Sequence, residues 1–98
     1  MKSVIERKVI EWANERGLIK EENATKQFIK LTEEVGELAS ALLKKDLDET
    51  IDAIGDIKVV LIILCEQLGI NYKECLESAY NEIKERKGKL VDGTFIKE

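Results

Sequence analysis

Histidine is absent from this 98-residue chain, and its absence excludes several kinds of catalytic and metal site. Ser-His-Asp and Cys-His catalysis need an imidazole as the general base. His-ligated zinc sites and the Glu-x-x-His di-iron sites of helical bundles need it as a ligand. Any chemistry in this chain must therefore use carboxylates, amines, amides, hydroxyls or thiols.

Long apolar runs and basic clusters are also missing. The longest apolar run, residues 59–65, is far shorter than the roughly 20 residues of a membrane-spanning helix. The N-terminus lacks the apolar segment of a signal peptide. The net charge is -4 without a basic run, which argues against a nucleic acid polymer as partner. We therefore expect a cytoplasmic protein that contacts neither membranes nor nucleic acid.

Cysteine is scarce. Cys65 and Cys75 are the only two, and their spacing matches no close-spaced metal-binding pattern. In a cytoplasmic protein such residues stay reduced. We interpret both as packing residues.

Apolar residues recur every three or four positions over most of the chain, which predicts an all-α fold of four helices. The predicted helices cover residues 3–16, 25–44, 46–68 and about 71–87. Together they suggest one four-helix bundle-type domain over residues 1–98, with a short extended tail. In that tail, residues 88–98, an Asp-Gly pair between short apolar pieces predicts either a small hairpin or a docked extended segment.

The predicted third helix is apolar on nearly every side over residues 57–65. Such a helix has to be covered on every side, and three partner helices from one short chain do this poorly. We therefore expect a homodimer or homotetramer. The predicted inner stripes of the second and fourth helices consist of Phe28, Leu31, Val35, Leu38 and Leu42, and of Tyr72, Leu76, Ala79 and Ile83.

Two acidic segments lie one helix apart, EEVGE at residues 33–37 and DAIGD at residues 52–56. Glu34 with Glu37 and Asp52 with Asp56 have the spacing that projects side chains to the same side of a helix. Carboxylates beside a core are unfavourable unless they are paired or bound to a cation. Facing one another, the four would form an oxygen cage suited to Mg²⁺ and, through it, to a polyphosphate.

A glycine lies inside each acidic segment, Gly36 in the first and Gly55 in the second. Glycine within a helix often permits the close approach of another backbone or a ligand, and we count both as support for a site. The alternative is that the acidic residues form a solvated helix face.

Three stretches resemble the MazG-like all-α nucleotide pyrophosphohydrolases, especially their short phage-type members. They are KLTEEVGELASAL, DAIGDIKVVLIILCEQLGI and AYNEIKERKGK, and the resemblance covers about residues 27–89. It implies a helical homodimer or homotetramer that uses Mg²⁺ to convert nucleoside triphosphates to monophosphate and pyrophosphate.

The resemblance also implies roles for particular residues. Glu34, Glu37 and Asp56 would be metal ligands. The position three before Asp56, a glutamate in that family, is Ala53 here, so that Asp52 would supply the missing oxygen. The basic group that contacts phosphates near the end of the last helix would correspond to Asn81 and Lys84.

From these residues a hydrolase mechanism follows as a hypothesis. Mg²⁺ held by the acidic cage would bind the triphosphate, and Glu33 or Glu37 would orient a water for attack on the α-phosphorus. Lys84 would stabilise the departing pyrophosphate. Lys30 is either a phosphate contact or a local ion-pair partner, and Trp12 either stacks on the nucleobase or packs in the core. The alternative function is a non-catalytic helical module that keeps the fold for oligomerisation or regulation.

Overall fold

The structure, a computed structural model, describes residues 2–98 and consists of four α-helices followed by a β-hairpin. The elements are α1 Val4–Glu15, α2 Ala24–Lys44, α3 Leu47–Leu68, α4 Tyr72–Ile83, β1 Gly88–Val91 and β2 Thr94–Lys97, with a 3-10 turn Glu21–Asn23 before α2. The predicted all-α class and its four helices are confirmed. Among residues 2–98, no helix is both long and apolar enough to cross a membrane.

Side-chain caps begin three of the helices, because the first amide groups of a helix lack intrahelical acceptors. The Glu6 amide donates to the Ser3 hydroxyl at 3.2 Å at the start of α1. The side chains of Asp46 and Asn71 accept in the same way at the starts of α3 and α4. Gly69, with φ 72°, ends α3 as predicted.

The last helix is shorter than predicted. It ends at Ile83 instead of about residue 87. The reason is that the Lys87 carbonyl accepts a hydrogen bond from the Glu98 amide at 2.9 Å, which extends the hairpin. Of the two alternatives for the tail, the structure has the hairpin, with Asp92 and Gly93 at positive φ in its turn.

Helices α2 and α3 form the central pair and are joined by only two residues, Lys45 and Asp46. They therefore run antiparallel. Ala41 on α2 and Ala53 on α3 are both buried, and their small side chains allow the two helices to approach closely. Helix α1 packs on α3 through the buried Ala13, and the Gln67 side chain ties α3 to the chain after α1 by donating to the Leu18 carbonyl at 2.8 Å.

The face that α2 turns toward α3 differs from the predicted apolar stripe. The buried and half-buried residues of this face are Gln27, Leu31, Glu34, Leu38 and Ala41. The other members of the predicted stripe, Phe28, Val35 and Leu42, remain 55%, 50% and 58% exposed. The prediction is wrong for these three because close packing at Ala41 turns the contact line away from them. They form an apolar stripe on the outer side of α2.

Helix α4 and the hairpin extend from the other helices. Within residues 2–98, α4 packs against α3 only, and none of its residues is buried. The predicted inner face of α4 is therefore not covered within one chain, with Leu76 and Ile83 both exposed. The two strands pair with each other and pack on none of the helices.

This arrangement gives the chain an open shape. Its radius of gyration is 16.0 Å, compared with about 13 Å for a compact domain of this length. Its accessible surface is 7701 Å², whereas a folded monomer of this mass exposes about 5,700 Å². One chain alone therefore leaves an unusual amount of apolar surface in water.

The left-handed backbone at Lys45 leads to a stability prediction. Lys45 has φ 56° at the end of α2, a conformation that disfavours residues with a Cβ and suits glycine. Lys45→Gly should raise the free energy of unfolding by about 0.5–1 kcal/mol, measured by thermal or urea unfolding. Lys44→Gly, one residue earlier in the helix, is the control and should lower it by a similar amount. If both variants are destabilised, the prediction is wrong.

Candidate metal centre

A groove of about 310 Å³ runs between α2 and α3. Its lining residues are Glu37, Ser40 and Lys44 from α2, with Glu49, Asp52, Ala53 and Asp56 from α3. On each helix these positions are three or four residues apart and therefore share one side. Because the helices are antiparallel, Glu37 and Asp56 lie at one end of the groove, and Lys44 and Glu49 lie at the other, 3.7 Å apart.

Three carboxylates meet at the first end of the groove. Glu34, Glu37 and Asp56 each offer one oxygen, and the three oxygens all lie within 4.8 Å of one another. Glu37 and Asp56 are exposed, but Glu34 is only 5% exposed. The predicted convergence of the two acidic segments is therefore present in the structure for these three residues.

The buried carboxylate of Glu34 is only partly satisfied. Its Oε1 accepts an ion-pair contact from Lys30 Nζ at 3.2 Å, but its Oε2 is buried without a hydrogen-bond partner. A buried oxygen of this kind is unfavourable unless a donor or a cation is supplied. The cluster offers only carboxylate oxygens, the ligands that Mg²⁺, Mn²⁺ and Ca²⁺ prefer. The residues present therefore fit a hard divalent cation.

Mutual repulsion is visible in the protonation of the cluster. The pKa of Glu37 is raised above its ordinary value of 4.5 because a protonated Glu37 can hydrogen bond to Glu34, and because the charge of Glu34 opposes a second negative charge. Asp56 adds to this effect, and Lys30 opposes it. The pKa of Lys30 is raised in turn by its hydrogen bond to Glu34 and by the charge of Glu34. Within the cluster, Lys30 is the positive charge that partly offsets the three carboxylates.

The other acidic candidates lie around this cluster. Asp52 lines the groove but is not one of the three converging carboxylates. Glu33 does not line the groove and contacts Lys30 at 3.7 Å. Lys30 was predicted to be either a phosphate contact or a local ion-pair partner. In the structure it forms the local ion pair.

Trp12 lies away from the acidic groove, on α1. It is 48% exposed, and the guanidinium of Arg16 stands 4.3 Å from the centroid of its ring. It shares a shallow pocket with Lys8, Val9 and Val59, between α1 and α3. Within one chain Trp12 is therefore only partly packed against α3, and it does not line the acidic groove.

Asn81 and Lys84 are not brought to the cluster within one chain. Both are exposed at the end of α4, a helix that makes no contact with α2. No residue of α4 lines the groove.

Sequence reasoning missed three groove residues, Ser40, Lys44 and Glu49. The sequence did contain a signal for two of them, because Ser40 and Lys44 follow Glu37 at helical spacing on the side of α2 that lines the groove. Lys44 is the single cation among the described residues that line the groove. The close approach expected at Gly36 and Gly55 is not found among the described residues. A Cβ built at either position has no neighbouring atom within 4 Å.

The profile of the phosphoribosyl-ATP pyrophosphohydrolase family matches residues 5–85. The chain belongs to this family. The phosphoribosyl-ATP pyrophosphohydrolases are part of the MazG-like all-α superfamily, so that the predicted relationship is confirmed. The matched range contains both acidic segments. Family membership points to a pyrophosphohydrolase, a hydrolase that acts on acid anhydrides.

A second similarity is to a phage protein without an assigned function. An uncharacterized 18.2 kDa protein from the rep-hol intergenic region of Haemophilus phage HP1 (strain HP1c1) is 47% identical over 57 residues. The match covers 58% of this chain and 35% of the phage protein, so that the chain spans about a third of that relative. No solved structure matches the chain.

Repulsion in the cluster predicts opposite effects of Glu37→Gln with and without metal. The pKa of Glu37 is higher in the folded protein than its ordinary value of 4.5, so the protonated side chain stabilises the fold. This stabilisation is complete below pH 4.5 and is lost as the pH rises through the folded pKa of Glu37. At neutral pH in EDTA the variant should therefore melt above the parent, and this advantage should vanish below pH 4.5. Added Mg²⁺ should raise the melting temperature of the parent more than that of the variant.

Glu33→Gln serves as the matched control in these thermal scans, because it removes one carboxylate of the same segment outside the converging three. It should leave both the melting temperature in EDTA and the Mg²⁺ shift close to those of the parent. Equal Mg²⁺ shifts for the parent and Glu37→Gln would contradict the assignment of Glu37 to the metal centre.

Proposed function

We propose that this chain is a Mg²⁺-dependent pyrophosphohydrolase that converts nucleoside triphosphates to monophosphates and pyrophosphate. The observation that carries the proposal is the buried Glu34, whose unpartnered oxygen lies beside Glu37 and Asp56 at the end of a groove. A polar groove joining a carboxylate cluster to a lysine suits a metal-bound polyphosphate. Membership of the phosphoribosyl-ATP pyrophosphohydrolase family supports the same bond cleavage.

In this proposal Glu34, Glu37 and Asp56 hold the metal. Asp52 lines the same groove and offers a further oxygen in place of the carboxylate missing at Ala53. When bound, Mg²⁺ would offset the negative charge of the phosphates and polarise the phosphoryl group. Lys30 then loses its role as the counter-charge of Glu34 and becomes available to a phosphate oxygen.

We assign water activation to Glu37 in preference to Glu33. Glu37 lines the groove beside the other two converging carboxylates, whereas Glu33 does not line it. The water oxygen forms a bond to the α-phosphorus as the bond to the bridging oxygen breaks. Pyrophosphate leaves, and the water proton passes to Glu37 and then to solvent.

Ser40 and Lys44 suit the departing pyrophosphate at the other end of the groove. The contact of Lys44 with Glu49 is 3.7 Å long, and both side chains are more than half exposed, so that this ion pair is weak and easily exchanged for a phosphate. The roles proposed for Asn81 and Lys84 require α4 of a second chain, because α4 does not contact α2 of its own chain. The proposed stacking of Trp12 on the base has the same requirement.

We also propose that the chain works as a homodimer or homotetramer. The excess accessible surface is about 2,000 Å², more than the roughly 800 Å² that each partner contributes to a typical stable interface. The outer stripe of α2, consisting of Phe28, Val35 and Leu42, and the exposed apolar side chains of α4 are the surfaces that a second copy would cover.

Light scattering coupled to size-exclusion chromatography tests the assembly. The parent should elute at two or four times the chain mass of 11.2 kDa. Val35→Lys places a charge in the outer stripe of α2 and should shift the protein toward monomer. Leu43→Lys is the control, because Leu43 is 86% exposed and lies outside the stripe. A monomeric parent, or equal masses for both variants, would contradict the proposed interface.

The proposed cleavage leaves open which triphosphate compound is the substrate. The family is named for phosphoribosyl-ATP, which makes this compound the second candidate substrate. Both candidates carry a triphosphate that is cleaved to release pyrophosphate, and the acidic groove has no feature that depends on the base. The choice between them therefore has to be made by measurement.

A substrate panel tests the activity. The purified chain is incubated with Mg²⁺ and each common nucleoside and deoxynucleoside triphosphate, or phosphoribosyl-ATP, and monophosphate and pyrophosphate are measured by chromatography. Glu37→Gln should lower kcat at least about 100-fold with the best substrate, because it removes both a ligand and the proton acceptor. Lys44→Met should mainly raise KM for the triphosphate, since a cation that binds phosphate is lost.

Glu33→Gln is the matched control in this assay as well and should keep most of the activity. A larger loss in Glu33→Gln than in Glu37→Gln would move water activation to Glu33. No turnover of any compound, with no thermal stabilisation by Mg²⁺ and nucleotide together, would favour the non-catalytic helical module instead.

A further inference from the structure

The β-hairpin is the least supported part of the chain. Its strands, Gly88–Val91 and Thr94–Lys97, pair with each other and pack on none of the helices. A two-stranded hairpin alone is marginally stable at best in water and needs an apolar face packed on another element. The hairpin therefore needs a surface that one chain, as folded, does not give it.

One face of the hairpin is suited to such packing. Leu90 and Phe95 are cross-strand partners, so that their side chains share a face, and they are 72% and 52% exposed. Gly88 lies on the same face, and a Cβ built there would be only 2.7 Å from Cζ of Phe95. The glycine therefore lets the Phe95 ring lie across the strand. Lys97, the partner of Gly88, adds an ammonium group to this face.

An apolar groove of about 400 Å³ runs between α1 and α3. A second, shallower pocket beside Trp12 shares two of its residues and continues it along α1. A Cβ built at Gly55 meets no atom within 4 Å, so that the groove is open above this glycine. The groove therefore has room for a side chain from another molecule. Its main lining residues are Ile5 and Val9 of α1, Gly55, Val59 and Ile62 of α3, and Tyr72 at the start of α4.

Glu6 adds an acidic group to this groove. Its Oε1 accepts a hydrogen bond from the Ser3 hydroxyl at 3.3 Å, whereas its Oε2 is buried without a hydrogen-bond partner. Lys58 also lines the groove, but among residues 2–98 it forms no ion pair with Glu6. A buried carboxylate oxygen is stabilised by a donor that is brought to it. An apolar face that carries a lysine therefore matches the composition of the groove.

The distribution of charge along the chain favours the same pairing. Residues 84–98 include five cationic and three anionic side chains and carry a net charge of +2. Residues 1–83 include 11 cationic and 17 anionic side chains and carry a net charge of -6. The hairpin segment of one copy is therefore attracted to the helices of another copy.

The hairpin lies away from this groove within its own chain. Tyr72 begins α4 beside the groove, and the hairpin follows the opposite end of this 12-residue helix, which is about 18 Å long. The connection does not lead back, because the Lys84 amide donates to the Tyr80 carbonyl and the Arg86 amide donates to the Ile83 carbonyl, both at 2.9 Å. A hairpin that fills the groove therefore comes from another molecule.

We propose that the hairpin of one copy docks in the groove between α1 and α3 of a second copy, with Phe95 above Gly55 and Lys97 beside Glu6. The exchange is reciprocal, so that a twofold dimer covers both hairpins and both grooves. The excess accessible surface of about 2,000 Å² accommodates this contact in addition to the outer stripe of α2. The inference rests on the proposed assembly and is independent of the proposed hydrolysis.

Photo-crosslinking of the full chain tests where the hairpin lies. A benzophenone analogue of phenylalanine replaces Phe95, and unlabelled and heavy-isotope-labelled chains are mixed, left to exchange and irradiated. Peptide mass spectrometry should find position 95 of one chain joined to residues 3–12 or 55–62 of another. The proposal is overturned if the main crosslinks lie within one chain or map to α2 or α4, if an assembled protein gives none, or if the protein is monomeric.

Two neighbouring residues of β2 provide a matched pair of variants. Phe95 and Ile96 are 52% and 48% exposed, but successive residues of a strand point to opposite faces. Phe95→Lys should raise the dissociation constant of the assembly at least about tenfold, measured by sedimentation on dilution, because it replaces the apolar anchor by a charge. Ile96→Lys should change this constant less than about twofold. Equal effects of the two variants would contradict docking through the Phe95 face.

Gly55→Leu tests the same contact from the groove. Because a Cβ at Gly55 meets open space, the variant should keep the helix content of the parent by circular dichroism. Its side chain would occupy the place of Phe95 and should raise the dissociation constant at least about tenfold. An unchanged constant in a folded Gly55→Leu would overturn the proposal. Groove crosslinks in a chain that hydrolyses no triphosphate would overturn the hydrolase proposal alone, and their loss in an active chain would overturn the docking alone.

Discussion

The buried carboxylate of Glu34 is the constraint on which the candidate site depends. An ionised group at a helix interface is destabilising unless each oxygen has a partner, and only one of the two does, through Lys30. An apolar side chain would fit the same position of α2 with less difficulty. A glutamate at this position leaves one buried oxygen without a partner, and in the proposed function a cation held together with Glu37 and Asp56 would supply that partner.

The short connection between α2 and α3 determines which residues face each other across the groove. With only Lys45 and Asp46 between the helices, residues at similar distances from the turn lie opposite one another. Lys44 therefore meets Glu49 near the turn, and Glu37 meets Asp56 two turns further along. The same geometry gives the groove its polarity, with a cation at one end and a carboxylate cluster at the other. A linear polyphosphate with a metal at one end has the matching distribution of charge.

The sequence predicted the helices and the acidic convergence well because both depend on local spacing. The ranges of the first three helices and the approach of Glu34 to Asp56 follow from positions along one or two helices. The face of α2 that is buried could not be predicted in this way. Apolar periodicity finds two neighbouring stripes, and only the packing of Ala41 near Ala53 decides which of them meets α3. In the proposed assembly a second copy would cover the other stripe, which would obscure the pattern further.

Ala53 leaves room in this groove. The resemblance to the MazG-like enzymes implies a glutamate at this position, but here the residue is a buried alanine that lines the groove. A glutamate side chain at this position would occupy part of the space of about 310 Å³ that the alanine leaves open. Three converging carboxylates therefore remain beside the groove, and Asp52 lines it as well. The alanine leaves the space between these carboxylates and Lys44 free of a further long acidic side chain.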